Sequence, residues 1–462
     1  MRLRHSTSRL PQTPSNLSTS AFICTRCLSS KQSWSCSSAR SSKRQFTSSP
    51  PTSSAWAAAV SKIQSTVSDI LPSSPQRATG NVTIDPLRVV AQELSFLSKN
   101  IRQLLGSGHP VLATVAKYYT QSEGKHVRPL LVLLMSRATA FAPKQPRSSS
   151  PSSNSIDAPI SPPTVLSDRN PDQEPSSSTP LSNSSNEADY AFPNDTTILP
   201  SQRRLAEITE LIHTASLLHD DVIDHSTTRR SSPSANTTFG NKMAVLAGDF
   251  MLGRASVALA RLHDPEVIEL LATVIANLVE GEFMQLKNTA SDEKNPIWNE
   301  QAITYYLQKT YLKSASLISK SCRAAALLGQ CAPNVVEAAY QYGKNLGLAF
   351  QLVDDMLDYT ISGQELGKPA GADLELGLAT APLLFAWRSR PELGVLVGRK
   401  FAKEGDVQKA RDIVNNSDGL EQTRALAQEY ADKAAESIRV LPSGEARDGL
   451  EEMCIKVMKR RK

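Results

Sequence analysis

The chain has 462 residues, 51 Lys and Arg against 45 Asp and Glu, and a formal net charge of +6, with 40% apolar and 5% aromatic residues. The positive balance is local, because the first 68 residues contain no acid and the remainder is slightly acidic; a nucleic-acid-binding role argued from global charge therefore fails. No run of about 20 consecutive apolar residues suggests a membrane span, and the six cysteines form neither a disulfide framework nor a zinc pattern, since the C-T-R-C of Cys24 and Cys27 has no second ligand pair.

In chain order, residues 1–53 have the Arg- and Ser-rich, acid-free composition of a mitochondrial transit peptide, with RQFTSS around Arg44 resembling a processing site. Residues 54–84 read as a flexible segment. From Asp85 the spacing of Leu and Val predicts helices, first over DPLRVVAQELSFLSKNIRQLL and then over two runs separated by a polar loop at Ser122 to Gly124. Residues 143–200 are dominated by Ser, Pro, Asn and Asp, too polar to offset their ordering entropy, and are expected to be a disordered insertion in one catalytic domain spanning 85–462. Helical periodicity resumes at Arg204 and runs almost to the end, with no strand-like alternation. The expected fold is all-α, a large bundle with its active cavity between helices. Cys322, Cys331 and Cys454 read as ordinary buried or half-buried thiols.

Two D-D-x-x-D motifs stand out, DDVID at Asp220, Asp221 and Asp224, and DDMLD at Asp354, Asp355 and Asp358. Residues three and four apart share a helical face, so each trio is expected to converge on one side, where the carboxylates repel one another unless a cation intervenes. One such motif could be a solvated acidic face; two, each after an apolar helical run, point to a hard divalent cation. Magnesium suits them, being held by one or two carboxylates plus phosphate oxygens. Arg229 and Arg230 follow the first motif, Lys125, His126 and Arg128 lie in a loop entering a helix, and His213 sits two turns before Asp220. These cations fit a polyanionic substrate.

The combination of a GKxxRP loop, HxxxxxxDDxxD followed by RR, a Lys-Ser pair, FQxxDD and LGKPxxxD resembles the trans-isoprenyl diphosphate synthases over essentially the whole chain from Asp85 apart from the insertion. SEGKHVRP and YYLQKTYLKSASL are similar to the mitochondrial polyprenyl diphosphate synthases that make the ubiquinone side chain. The resemblance implies a magnesium-dependent prenyltransferase acting in the mitochondrion. Asp220 and Asp224 would bind magnesium with Asp221 in support, and Asp354, in the motif completed by Asp355 and Asp358, would bind a further magnesium from the opposite wall. Arg229, Lys313, Ser314, Gln351 and Lys368 would hold the allylic diphosphate, a farnesyl or geranylgeranyl primer, while Lys125, Arg128, His213 and Arg230 would hold isopentenyl diphosphate. Glu123, His126 and Ser314 depart from the family's usual Gly, Arg and Thr. Lys309-Thr310 is a competing alignment for the Lys-Ser pair.

The same resemblance implies that the growing tail runs along the first motif's helix toward its N-terminus, where Ala215 and Ser216 stand in place of the aromatic floor of short-chain members; five residues span ~7.5 Å. A long-chain product is therefore expected. The alternatives are a geranylgeranyl diphosphate synthase, a subunit of a heteromeric synthase and a terpene cyclase; the last needs no isopentenyl diphosphate site. A homodimer or higher oligomer and peripheral association with the inner membrane are also expected.

Overall fold

The computed structural model describes residues 84–107, 109–121, 126–146, 162, 165, 197–230, 232–287, 296–360 and 371–460, all within one compact unit spanning Asn81–Lys462. The presequence at 1–53, nearly all of the segment at 54–84, most of the insertion, Cys24, Cys27, Cys36, Lys125 and Lys368 lie outside these residues.

The chain is all-α as its periodicity predicts. Its longer helices are α1 (Ala91–Leu104), α2 (Pro110–Gln121), α3 (Val127–Ala138), α4 (Pro200–Ile223), α5 (Asn241–Ala260), α6 (Pro265–Lys287), α7 (Glu300–Thr310), α8 (Ser316–Leu328), α9 (Pro333–Thr360), α10 (Ala381–Ser389), α11 (Asp406–Asn415), α12 (Gly419–Ser437) and α13 (Glu445–Met458). A π-helical turn, Tyr311–Ala315, joins α7 to α8. α4 starts cleanly because Pro200 fills the first position, where an N–H is not needed, and Gln202 reaches back to accept the Leu199 N–H at 2.9 Å.

α8 and α9 form the centre. α9, 28 residues and so ~42 Å long, packs on α8 and α12, while α8 also meets α3, α4 and α6. Backbones touch where α9 crosses the α8 side: a Cβ added to Gly343 would lie 2.6 Å from Ser319 Cα, and one on Gly347 2.7 Å from Ala315 Cα. Only glycine permits that approach, and it fixes α9 against the π turn. Cys322, Cys331 and Cys454 are free and buried, as expected.

Two expectations change. Strands are not wholly absent: Thr228–Arg229 pairs antiparallel with Ser232–Pro233, a ribbon too short for periodicity to reveal. Both ends of the stretch 143–200, expected to be a disordered insertion, are built into the domain, and Val165 between them is buried. Ala332 donates to the Pro143 carbonyl at 2.8 Å, Gln145 to that of Gln330 at 2.9 Å, and the Lys144 ammonium to those of Thr139 and Gly329 at 2.8 and 2.9 Å; Ile198 is fully buried before α4. α5 is by length and mean hydropathy, 1.4, apolar enough to cross a membrane, but Lys242, Asp249 and Arg254 interrupt it, so the expectation of no run of about 20 consecutive apolar residues stands. Ala244, Ala247, Met251 and Ala255 of α5 are buried, while Val245, Leu246 and Val257 are exposed.

Candidate active site

The first acidic motif closes α4 and the second lies in the last turns of α9. Both therefore sit where a helix carries its partial negative charge, which adds to the pull on a cation. α4 stops at Asp224 because its final carbonyls find other donors: the Ser226 N–H and the Asn236 amide both donate to the Asp221 carbonyl, at 3.0 and 2.9 Å.

The three aspartates of the first motif do not share one role. Asp221 is fully buried, turned away from the cavity, and accepts the Arg229 guanidinium at 2.5–2.9 Å and the Tyr119 hydroxyl. The expected convergence of all three carboxylates is thus corrected. By spacing Asp221 could also share that face, but its bonds to Arg229 and Tyr119 hold it inside and leave the open face to Asp220 and Asp224. Burial, only partly offset by Lys313 and worsened by Glu282 and Asp224, pushes Asp220 up to about 6; burial also raises Asp224. Lys313 is bonded to Glu282 of α6. Burial opposes its charge, but Asp220 and Glu282 outweigh it and hold its ammonium above the usual range.

The second motif repeats this division. Asp355 accepts the Tyr306 hydroxyl at 2.6 Å and the Gln351 amide at 2.8 Å. Asp358 accepts the backbone N–H groups of Ala372 and Asp373 at 3.2 and 3.3 Å, so it is turned to the short helix Ala372–Glu375. Asp354 is half-open and faces Arg460 at 3.0 Å, whose guanidinium lies 4.4 Å over the Phe350 ring. Burial and the nearby carboxylates of the Asp355 and Asp373 pair raise both well above the usual carboxylate range.

Between the walls lies a cavity of about 400 Å³, lined by Asp224, Arg229, Lys313, Ser314, Gln351 and Asp354 among others. Ser314 donates to the Gln351 side-chain carbonyl at 2.7 Å, bringing together two residues placed in one subsite from sequence. Across α4, Arg128 donates to His213 Nε2 at 3.0 Å. Burial and then the Arg128 charge hold His213 well below the usual imidazole range, so the ring is a neutral acceptor there. Arg230, with its backbone in the left-handed region (φ 53) at the ribbon's turn, and Arg460 both lie within electrostatic reach of Arg128. Such a guanidinium cluster matches diphosphate oxygens. Ala215 is fully buried, and the Ser216 hydroxyl donates to the His213 carbonyl at 2.8 Å.

The oxygen donors of Asp220, Asp224 and Asp354 fit a hard divalent ion. Among the described residues, no three acids or histidines stand close enough to hold one alone, so phosphate oxygens would have to complete its shell. Sequence reasoning missed Tyr119, Tyr306, Glu282 and Arg460, because their roles depend on which helices become neighbours. Asp373 was visible as the last letter of LGKPxxxD but had no role assigned.

A helical bundle with two acidic helix ends facing across a cation-rimmed cavity is the architecture of a metal-dependent enzyme acting on prenyl diphosphates. The polyprenyl synthetase family matches residues 184–414. A relative from Neurospora crassa, "Probable hexaprenyl pyrophosphate synthase, mitochondrial", is 67% identical over 92% of each chain. "Hexaprenyl pyrophosphate synthase, mitochondrial" from Saccharomyces cerevisiae is 49% identical over 82% of this chain and 91% of its own. The solved polyprenyl synthase of Caulobacter crescentus, in complex with calcium and isoprenyl diphosphate, superposes with a TM-score of 0.64 at 29% identity, covering 84% of this chain and all of that one. The chain belongs to the polyprenyl synthetase family. Within it, the protein is a mitochondrial long-chain polyprenyl diphosphate synthase, a prenyltransferase.

Proposed function

We propose that the enzyme condenses a farnesyl or geranylgeranyl diphosphate primer with successive isopentenyl diphosphates, using magnesium, to make the all-trans side chain of ubiquinone. The observation that carries this reading is that Asp224 of the first motif and Asp354 of the second line one cavity with Lys313, Ser314 and Gln351, with Asp220 in the field of Asp224 and Lys313. Magnesium would be held by Asp220, Asp224 and Asp354 and would stabilise negative charge on the leaving diphosphate. Lys313 and Ser314 would bind that diphosphate with Gln351, joined by Lys368. Arg128, His213 and Arg230 would hold isopentenyl diphosphate with Lys125, presenting its double bond to the allylic carbon; after the new carbon–carbon bond forms, a proton is lost and an alkene five carbons longer remains. Asp221 and Asp355 keep these groups in place through Arg229 and Gln351. Arg229 is then a link between Asp221 and the cavity it lines, and reaches the allylic diphosphate from that position.

The tail would run along α4 past Ala215, where the side chain is a single methyl group in place of a large ring. We also place a second copy of the chain on the apolar face made by Leu246 and Val257 of α5 with Val279, Phe283 and Leu286 of α6, all exposed. The apolar product favours peripheral association with the inner membrane. Incubation with farnesyl diphosphate, labelled isopentenyl diphosphate and magnesium tests the reading: a ladder ending in a long-chain product is expected, and failure to extend the primer overturns it.

A further inference from the structure

Lys309 and Thr310 stand one turn before Lys313 and Ser314, so the chain carries two lysine-hydroxyl pairs in succession, Lys309-Thr310 and Lys313-Ser314, across the entry to the π turn. All four residues line the same cavity. Their lysines differ in commitment. Lys313 is bonded to Glu282. The Lys309 ammonium, among the described residues, has neither a hydrogen bond nor a carboxylate within ion-pair distance; it lies 5.4 Å from the centre of the Tyr306 ring, in the field of Asp355 and Asp373. Tyr306 and Gln351 already supply Asp355 with hydrogen bonds at 2.6 and 2.8 Å. A largely desolvated ammonium with no acceptor of its own costs stability unless an anion arrives.

We propose that Lys309 is a second lysine contact to the diphosphate of the growing chain, added to Lys313. The inference rests on the diphosphate subsite proposed for Lys313 and Ser314. Its chemistry is that of a compact, strongly hydrated point charge: an ammonium adapts to whichever diphosphate oxygen faces it and needs no fork geometry. Two ammonium groups one turn apart hold the leaving group at two points, which suits an enzyme that must re-bind an ever longer chain by the same diphosphate in each cycle.

The test is calorimetric titration of the full chain with inorganic diphosphate in the presence of magnesium, comparing the parent with Lys309→Met, Lys309→Arg and Lys313→Met. Lys309→Met is expected to weaken diphosphate binding roughly tenfold, the worth of one charge-assisted contact, and to raise KM for farnesyl diphosphate; Lys309→Arg retains most of the affinity. Diphosphate affinity within twofold of the parent in Lys309→Met, beside a clear loss in Lys313→Met, overturns the inference alone. No loss in either variant overturns the subsite reading as well. A change confined to magnesium affinity assigns Lys309 to charge balance at Asp355 and Asp373 and also overturns the inference. Should Lys309→Met not fold, amine labelling of the parent read by mass spectrometry decides the matter: diphosphate with magnesium protects Lys309 if it is a contact, and unchanged labelling refutes it.

Discussion

Adjacent aspartates in the first motif are expected to have opposite effects on stability when each is replaced by asparagine in the metal-free protein. Asp220 pays for burial without a full counter-charge, and its pKa is pushed from 3.8 up to about 6. A carboxyl raised in this way favours the fold when protonated, and that advantage is lost as pH rises through about 6. At pH 8, roughly two units at ~1.4 kcal/mol each set an upper bound near 3 kcal/mol, and the half-open position of the group reduces this to about 1–2 kcal/mol. Asp220→Asn should therefore stabilise the apo protein by about that amount at pH 8, with the gain shrinking as pH falls from 6 toward 3.8. Asp221→Asn should do the reverse, because it removes the buried partner of Arg229 and the acceptor of Tyr119; loss of one partner of such a pair costs about 3–5 kcal/mol. Urea unfolding with a chelator present, at pH 8 and pH 4.5, reads both. Equal destabilisation by the two substitutions at pH 8 would refute the division of labour within the motif.

Magnesium affinity in the presence of diphosphate should fall as pH drops through about 6, because protons then compete for Asp220; a flat profile between pH 5 and 8 removes Asp220 from the metal site. Ala215→Phe should shorten the product, and an unchanged ladder on thin-layer chromatography would reject the tail's path along α4. Phe283→Glu, on the exposed apolar face of α6, should lower the mass seen by light scattering to that of a single chain; an unaltered mass places the oligomer contact elsewhere.

The helices and the two acidic motifs were readable because their signals are local: periodicity needs a window of residues, and D-D-x-x-D needs five. What each carboxylate does was not readable. Asp221 and Asp224 are both within reach of a shared face by spacing, yet Asp221 is claimed by a tyrosine from α2 and an arginine from the ribbon. Asp355 is claimed in the same way by Tyr306 of α7. The two tyrosines lie 102 and 49 residues away in sequence, and no spacing rule reaches them; Arg229 is only eight residues from Asp221, but its turn inward depends on the ribbon. The choice of Lys313-Ser314 over Lys309-Thr310 could be made by alignment, but that both pairs line one cavity follows from the packing of α9 at Gly347. Residues 143–146 were assigned to the insertion because Pro and polar residues there look like a loop; their backbone partners come from the turn at 330–332.

That last pairing has a consequence for how the enzyme can vary. Before residue 147 the chain is clipped to the turn between α8 and α9, and by Ile198 it is buried again ahead of α4. Val165, between these two points, is itself buried in the core, so a change of length in this stretch has three anchors to respect: the clip at 143–146, Val165 and Ile198. A rewriting that keeps those three anchors leaves the start of α4 where it is, and so does not reach the chemistry at its other end.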